Sequence, residues 1–159
     1  MFEWLENTPM ARMVQESLWG YPIVLSSHAV GMAILAGIVL VINFRVMGLA
    51  PEISLSGLKT LARVAWVGLV INVISGVMLF SANAQHFVKS TPFLLKILFL
   101  VAGITLFVAM SRKLAPSAPG SVEESSAGSL RIMAWVSTVL WLGVIVMGRL
   151  IAYVDTGDF

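Results

Sequence analysis

The chain has 159 residues, of which 58% are hydrophobic and 11% are charged, and its formal net charge is +2. Soluble domains carry about 25% charged residues, so this composition indicates one small membrane domain, over residues 1–159, that lies in a lipid bilayer. The absence of cysteine excludes disulfides, thiolate metal sites, iron–sulfur clusters and covalently attached haem. No basic cluster with interleaved aromatic residues suggests nucleic acid.

A short amphipathic helix is predicted over about residues 8–19, ahead of the first long apolar run. Met10, Met13, Val14 and Leu18 recur at helical spacing. Because polar residues occupy the rest of the helical wheel, we expect this helix to lie on the membrane surface.

Four apolar stretches follow, and each is close to the ~20 residues that cross a bilayer as a helix. We predict spans over about 22–46, 60–84, 92–112 and 131–154. A polar, mobile cytoplasmic loop is predicted over about 114–129. The predicted fold is therefore all-α, an integral membrane four-helix bundle with a short N-terminal interfacial amphipathic helix.

Lysine and arginine residues set the predicted orientation. Most of those at the ends of the spans or between them lie in the connections 45–63 and 111–131, whereas the opposite side has Arg12 and Lys89. The positive-inside rule then places both termini outside. In a bacterial inner membrane, this side is the periplasm.

The few ionisable residues within the spans are candidates for function. At 1.5 Å per residue, His28 lies about 9 Å, Lys96 about 6 Å and Arg149 about 8 Å from the outer ends of their helices. His86 directly follows the second span. The alternating helix directions therefore predict that all four side chains lie in the outer third of the bundle. Alternatively, the two cations simply extend to the interface, or Arg149 pairs with Asp155. In the same interpretation His86 is an ordinary exposed loop histidine, and His28 is a structural hydrogen-bonding group between helices.

One chemistry that would use this set is b-type haem. Haem iron takes axial imidazole ligands, so His28 and His86 are the predicted axial ligands. The anionic propionates need cationic partners, a role predicted for Arg149 and Lys96.

Two further points depend on this interpretation. Gly31 lies one helical turn from His28 and would leave room for a flat ring, although glycine there also suits helix packing. If His86 is not the second axial ligand, Met78 or Met147 would take its place, or the iron would be five-coordinate.

Copper is the second interpretation, because thioethers select Cu(I). His28, Met32, Met78 and Met147 all fall toward the outer side and would be the ligands. The third interpretation is a membrane anchor or assembly subunit without a cofactor. Since no span contains Asp or Glu, an acid–base enzyme is not expected, and an electron-transfer protein or subunit is favoured over a stand-alone enzyme.

Four segments, HAVGMAILAG, NFRVMG, TPFLLKILFLVAG and GRLIAYV, together resemble a family of small four-helix bacterial inner-membrane proteins of unassigned function. The match covers most of residues 19–154. That family is distantly similar to copper-resistance D-type membrane domains and to four-helix b-type cytochromes. The resemblance implies that His28, Lys96 and Arg149 belong to one site.

These observations together predict a membrane b-type haem protein that carries electrons between quinol and a periplasmic or membrane partner. The expected partners are a redox protein or further copies of this chain in a homo-oligomer. A quinone would suit the same chemistry, although no residue marks its site.

Overall fold

The structure, a computed structural model, describes residues 2–114 and 124–154. The helices are α1 (Glu3–Glu6), α2 (Pro9–Glu16), α3 (Gly20–Met47), α4 (Leu55–Ala82), α5 (Ala84–Phe87), α6 (Thr91–Leu114) and α7 (Glu124–Val154). The segments long and apolar enough to cross a membrane are Gly20–Met47, Thr60–Ala82, Thr91–Lys113 and Gly128–Tyr153. The protein is therefore an all-α, multi-pass membrane bundle, and the predicted fold class is confirmed.

Helix α2 begins and ends at local signals in the sequence. The Thr8 side chain accepts a hydrogen bond from the Ala11 N–H, and Pro9 occupies the first turn, where no N–H is needed. Ser17 is extended, so α2 is shorter than the predicted 8–19. A Cβ atom on Gly20 would collide with the carbonyl oxygen of Met13, so glycine permits the tight turn into α3.

The connection between α3 and α4 is also built from short-range signals. Gly48 adopts a left-handed conformation with φ of 86° and ends α3, a conformation that glycine reaches without steric cost. The Ser54 hydroxyl accepts a hydrogen bond from the Gly57 N–H at 3.1 Å and begins α4. Arg45 Nε donates to the Ile53 carbonyl at 2.6 Å, which holds the connection against the end of α3.

The helices begin and end at somewhat different residues from the predicted spans. Helix α6 begins at Thr91, one residue before the predicted span, and the Ser90 hydroxyl caps it by accepting from the Phe93 N–H at 3.4 Å. Residues 124–129, predicted as loop, belong to α7, because hydropathy marks only the part of a helix that lies in the membrane. The rest of the predicted loop, 115–123, lies outside the described residues.

The four long helices alternate in direction. Helices α3 and α6 begin at the end of the bundle where α4 and α7 end, and α1, α2 and α5 lie at this end too. We refer to it as the N-terminal end. Helix α3 packs along α4 and also against α7, while α6 packs along α7. The interior is therefore organised around α3.

Helices α3 and α4 approach each other most closely at two glycines. A Cβ atom on Gly31 would lie 2.9 Å from the Asn72 backbone nitrogen, and one on Gly68 would lie 2.9 Å from the Leu35 nitrogen. Asn72 Nδ2 also donates to the His28 carbonyl at 3.0 Å. Close backbone packing and interhelical hydrogen bonds of this kind hold helices together in lipid.

The apolar core lies in the middle of the bundle, on the side of α3 that faces α7. Its fully or nearly buried members are Leu35, Ala36, Val39, Ile42, Leu58, Ala65, Phe107 and Trp141. Helices α4 and α6 meet through aromatic side chains: the ring centroids of Phe80 and Phe93 are 5.6 Å apart, and those of Trp66 and Phe107 are 6.2 Å apart.

A buried polar contact joins α3 to α7 away from the N-terminal end. Asn43, which is 1% exposed, donates through Nδ2 to the hydroxyls of Ser137 at 3.1 Å and Thr138 at 3.2 Å. Thr138 in turn donates to the Ala134 carbonyl. These bonds fix the rotation of α7 relative to α3, because only one face of each helix carries the partners.

Helices α1 and α2 are tied to the ends of α4 and α5 by hydrogen bonds. The Glu6 carboxylate accepts from the Gln85 backbone N–H at 2.9 Å and from Gln85 Nε2 at 3.1 Å. Gln15 Nε2 donates to the Ala82 carbonyl at 2.5 Å. The amphipathic helix is therefore docked on the bundle, with Ala11 and Val14 buried.

We expect Gly31→Ala to destabilise the protein by about 1–3 kcal/mol, because the new methyl group would push against the backbone of α4. Gly37→Ala is the matched control: it lies on the same helix, and a Cβ atom there would meet nothing within 4 Å. That variant should be neutral or slightly stabilising. Unfolding in mixed micelles measures both changes; equal effects would show that the Gly31 approach does not hold the helices together.

Replacement of Glu6 by alanine should release α5, because the Gln85 N–H then loses its acceptor, at a local cost of roughly 1–3 kcal/mol. Hydrogen exchange at the amides of residues 85–88 should become faster. The control is Glu3→Ala, because Glu3 is an exposed acidic residue on the same short helix. This variant should leave the exchange rates unchanged. Unchanged exchange in Glu6→Ala would contradict the proposed attachment of α1.

Candidate functional site

The imidazole of His28, on α3, lies against α4 and beside Lys96 of α6, near the N-terminal end. Its Nδ1 is 3.0 Å from the Ser75 hydroxyl on α4. Its Nε2 is 3.5 Å from the Lys96 amino group on α6, at the long limit for a hydrogen bond. The ring is therefore in contact with one polar group at each nitrogen.

Helix α4 presents one polar face to His28. Asn72, Ser75 and Gly76 lie at i, i+3 and i+4, so they share one side of the helix. The Asn72 side chain donates to the backbone carbonyl of His28 and so holds this part of α3. A Cβ atom on Gly76 would lie 3.2 Å from His28 Cε1, so glycine lets the ring rest directly on the α4 backbone.

Helix α7 gives Lys96 a similar surface. A Cβ atom on Gly148 would lie 3.5–3.8 Å from the Nζ, Cε and Cδ atoms of Lys96. The lysine side chain thus extends over this glycine toward His28. His28 and Lys96 were predicted to lie at similar depths in their helices, and their side chains lie at one level in the structure.

The site combines a basic amino group with an imidazole nitrogen and has no acidic residue from the spans. None of the four spanning segments contains Asp or Glu. A cationic group in the membrane normally faces a counter-charge or a polar cavity. The Lys96 amino group therefore has no carboxylate partner within these four segments.

Arg149 and His86 occupy other positions at the same end. Arg149 is exposed, and its guanidinium carbon lies 6.0 Å from the ring centroid of Tyr153. It follows Gly148, which faces Lys96, so the turn of about 100° per residue directs the two positions differently. His86 lies on α5, half-buried, with its ring 6.0 Å from that of Phe87 in an edge-on contact.

The remaining candidates are a glycine and three methionines. Gly31 packs against α4, and the space beside it is filled by the backbone of Asn72 and Gly68 and the side chain of Ile71. Met32 packs against the apolar core. Met78 and Met147 are half-buried. Among residues 2–114 and 124–154, no group of three or more His, Cys, Asp or Glu side chains is arranged to hold a metal ion.

Sequence reasoning missed Ser75 and Gly148 as parts of the site. The stripe of Gly68, Asn72 and Gly76 is visible in the sequence, and it indicates only tight helix packing. Ser75 follows Asn72 by three residues and so lies on the same face of the helix. This spacing is the one feature of the sequence that could have predicted its place in the site. Gly148 carries no signal of its own, because glycine is frequent in membrane helices.

The fold and this site define a multi-pass, all-α membrane protein with a histidine and a lysine in contact between its helices. The chain belongs to a family of unknown function (DUF6644), whose model matches residues 1–154. This family assignment agrees with the resemblance to a family of unassigned function. No curated protein and no solved structure matches the chain.

A double-mutant cycle tests the contact between His28 and Lys96. His28→Ala and Lys96→Met should show a coupling energy of about 0.5–2 kcal/mol in unfolding, because each variant leaves the other partner's polar group unpaired in the membrane. The cycle of His28→Ala with Lys89→Met is the control, since Lys89 is exposed in the turn before α6. Additive energies in the first cycle would show that the two side chains do not interact.

Proposed function

We propose that the protein binds b-type haem at the His28 site and carries electrons within the membrane. The observation that carries this proposal is the contact at 3.5 Å between an imidazole nitrogen and an amino group inside the bundle. Haem combines an iron atom, which binds imidazole, with anionic propionates, which bind basic side chains. The imidazole would bind the iron, and the amino group would pair with a propionate of the same molecule.

The chemistry of the donor set supports the choice of haem. The porphyrin ring itself supplies most of the ligands of iron, so one histidine from the protein is sufficient. Gly76 and Gly148 let the His28 ring and the Lys96 side chain lie directly against the backbones of α4 and α7, which holds both donor groups at one place. Next to this level, α4 and α6 meet through the stacked rings of Phe80 and Phe93, and aromatic side chains suit contact with a flat apolar ring.

Lys96 has a defined task in this proposal. Its amino group lies 3.5 Å from His28 Nε2, so the lysine side chain would have to move aside for that nitrogen to hold iron. The flexible lysine side chain permits this movement. Since no acidic side chain in the spans competes for it, the amino group is available to pair with a propionate.

Haem supplies one-electron transfer when it is bound. The distribution of lysine and arginine supports an orientation with both termini in the periplasm of a bacterial inner membrane, which would put the His28 site near the periplasmic face. Electrons would then pass between a membrane quinol and a periplasmic or membrane partner. The sixth iron ligand, if there is one, would come from the same end, where His86 lies.

The absorption spectrum of the purified protein tests the proposal. We expect a Soret band, and α and β bands on reduction, with iron in elemental analysis. His28→Ala should lose these bands, because the axial ligand is gone. Lys96→Met should keep the bands and weaken haem retention by about 10- to 100-fold, because one charge-assisted hydrogen bond is lost. His86→Ala should change the band positions if its ring is the sixth ligand.

Other outcomes would overturn the haem proposal. A colourless preparation with stoichiometric copper would favour a copper-binding protein. A preparation with neither metal that stays bound to another membrane protein would favour an anchor or assembly subunit. His28→Ala with an unchanged spectrum would exclude this histidine as the ligand, provided that its unfolding midpoint shows that the variant is folded.

A further inference from the structure

Ser75 is in a position to decide which nitrogen of His28 carries the proton. Its hydroxyl oxygen is 2.7 Å from the Ile71 carbonyl oxygen on the same helix and 3.0 Å from His28 Nδ1. Two oxygen atoms at 2.7 Å need a hydrogen atom between them, and a carbonyl can only accept. The Asn72 carbonyl oxygen lies 3.3 Å from the same hydroxyl, so the single hydroxyl hydrogen of Ser75 is committed to the carbonyls of its own helix, with Ile71 the nearer.

The position of the imidazole proton follows from the single hydrogen on the Ser75 hydroxyl. With its own hydrogen committed, Ser75 can only accept from His28, so Nδ1 carries the N–H. A neutral imidazole has one N–H and one lone pair, so the lone pair lies on Nε2. The Lys96 amino group, which lies 3.5 Å from Nε2, has N–H groups to donate to this lone pair.

We propose that Ser75 is the positioning residue of this site: it holds His28 with the proton on Nδ1 and directs the Nε2 lone pair toward Lys96. The ligand class that such a nitrogen takes is an electron-pair acceptor, such as a metal ion. Metal-binding histidines are typically oriented by a hydrogen bond from the other ring nitrogen, which also makes the ligand nitrogen more basic.

This inference deepens the proposed function. Only the identity of the electron-pair acceptor depends on the proposed function. The position of the proton is a property of the chain itself. The hydrogen-bond sequence from Lys96 through His28 and Ser75 to Ile71 joins α6, α3 and α4. It therefore gives Ser75 a role that helix packing alone would not require.

Nitrogen-15 NMR on the 159-residue chain, labelled at histidine and purified without added haem, tests the inference. The chain has two histidines, so the variant His86→Gln assigns the His28 signals. In the unmodified chain, we expect a protonated Nδ1 and an unprotonated Nε2. In a Lys96→Met background, where no amino group can donate to Nε2, Ser75→Ala should lose the Nδ1–H form as the major species, because its acceptor is gone.

Ser81→Ala is the matched control. Ser81 lies on the same helix, is fully buried and donates to its own helix at the Met78 carbonyl, so its loss should leave the His28 signals unchanged. An unmodified chain with the proton on Nε2 would overturn the inference even if Ser75→Ala failed to fold. So would an unchanged Nδ1–H signal when Ser75→Ala is added to Lys96→Met.

Haem binding provides a second readout that separates the two proposals. If haem is bound, Ser75→Ala should weaken its retention by about 10- to 100-fold, as expected for loss of an orienting hydrogen bond, and Ser81→Ala should not. A colourless protein with the proton on Nδ1 would refute the proposed function and leave the role of Ser75 intact. A haem protein with the proton on Nε2 before haem is added would do the reverse.

Discussion

The backbones of α3 and α4 approach each other closely at Gly31 and Gly68, and the rest of the bundle depends on this approach. Lipid tails are as apolar as the helix surfaces, so burial of apolar area supplies little attraction between membrane helices. Close packing and interhelical hydrogen bonds must hold them together instead. At these two glycines the backbones come near enough for Asn72 to reach the His28 carbonyl.

The His28 site is a continuation of the same contact toward the N-terminal end. One turn beyond Asn72, Ser75 and Gly76 lie beside the His28 ring, so the packing surface of α4 is also the polar surface of the site. The histidine is therefore held by two rigid helices. Lys96 reaches it from α6 over Gly148 with a long, flexible side chain, and this side chain is the part of the site that can adjust to a ligand.

The polar residues of the site differ in how well the sequence predicts them. The level of His28 and Lys96 follows from the start of each helix and the rise of 1.5 Å per residue, and the two side chains do meet. The same reasoning predicts the depth of Arg149 correctly, but the residue at this depth that faces the site is its neighbour Gly148, and Arg149 is exposed. A displacement of one residue rotates a side chain by about 100°, so depth alone does not predict which residue points inward.

In a soluble helix, the apolar stripe shows which face is buried. The membrane helices of this chain are apolar on every side, with large hydrophobic residues both in the core and on the outer surface. Periodicity therefore cannot indicate the inward face. The role of Ser75 could not be predicted from the sequence for this reason. Its hydroxyl lies opposite His28 only once α3 and α4 have packed together.

The sequence by itself determined the four membrane segments, several of their caps and the depth of each polar residue, because hydropathy, capping and helical rise are local properties of the chain. Only the tertiary structure decided the rotation of each helix about its axis. That rotation depends on where glycine lets two backbones meet and where Asn43 and Asn72 find partners, so it follows from contacts between residues far apart in the chain.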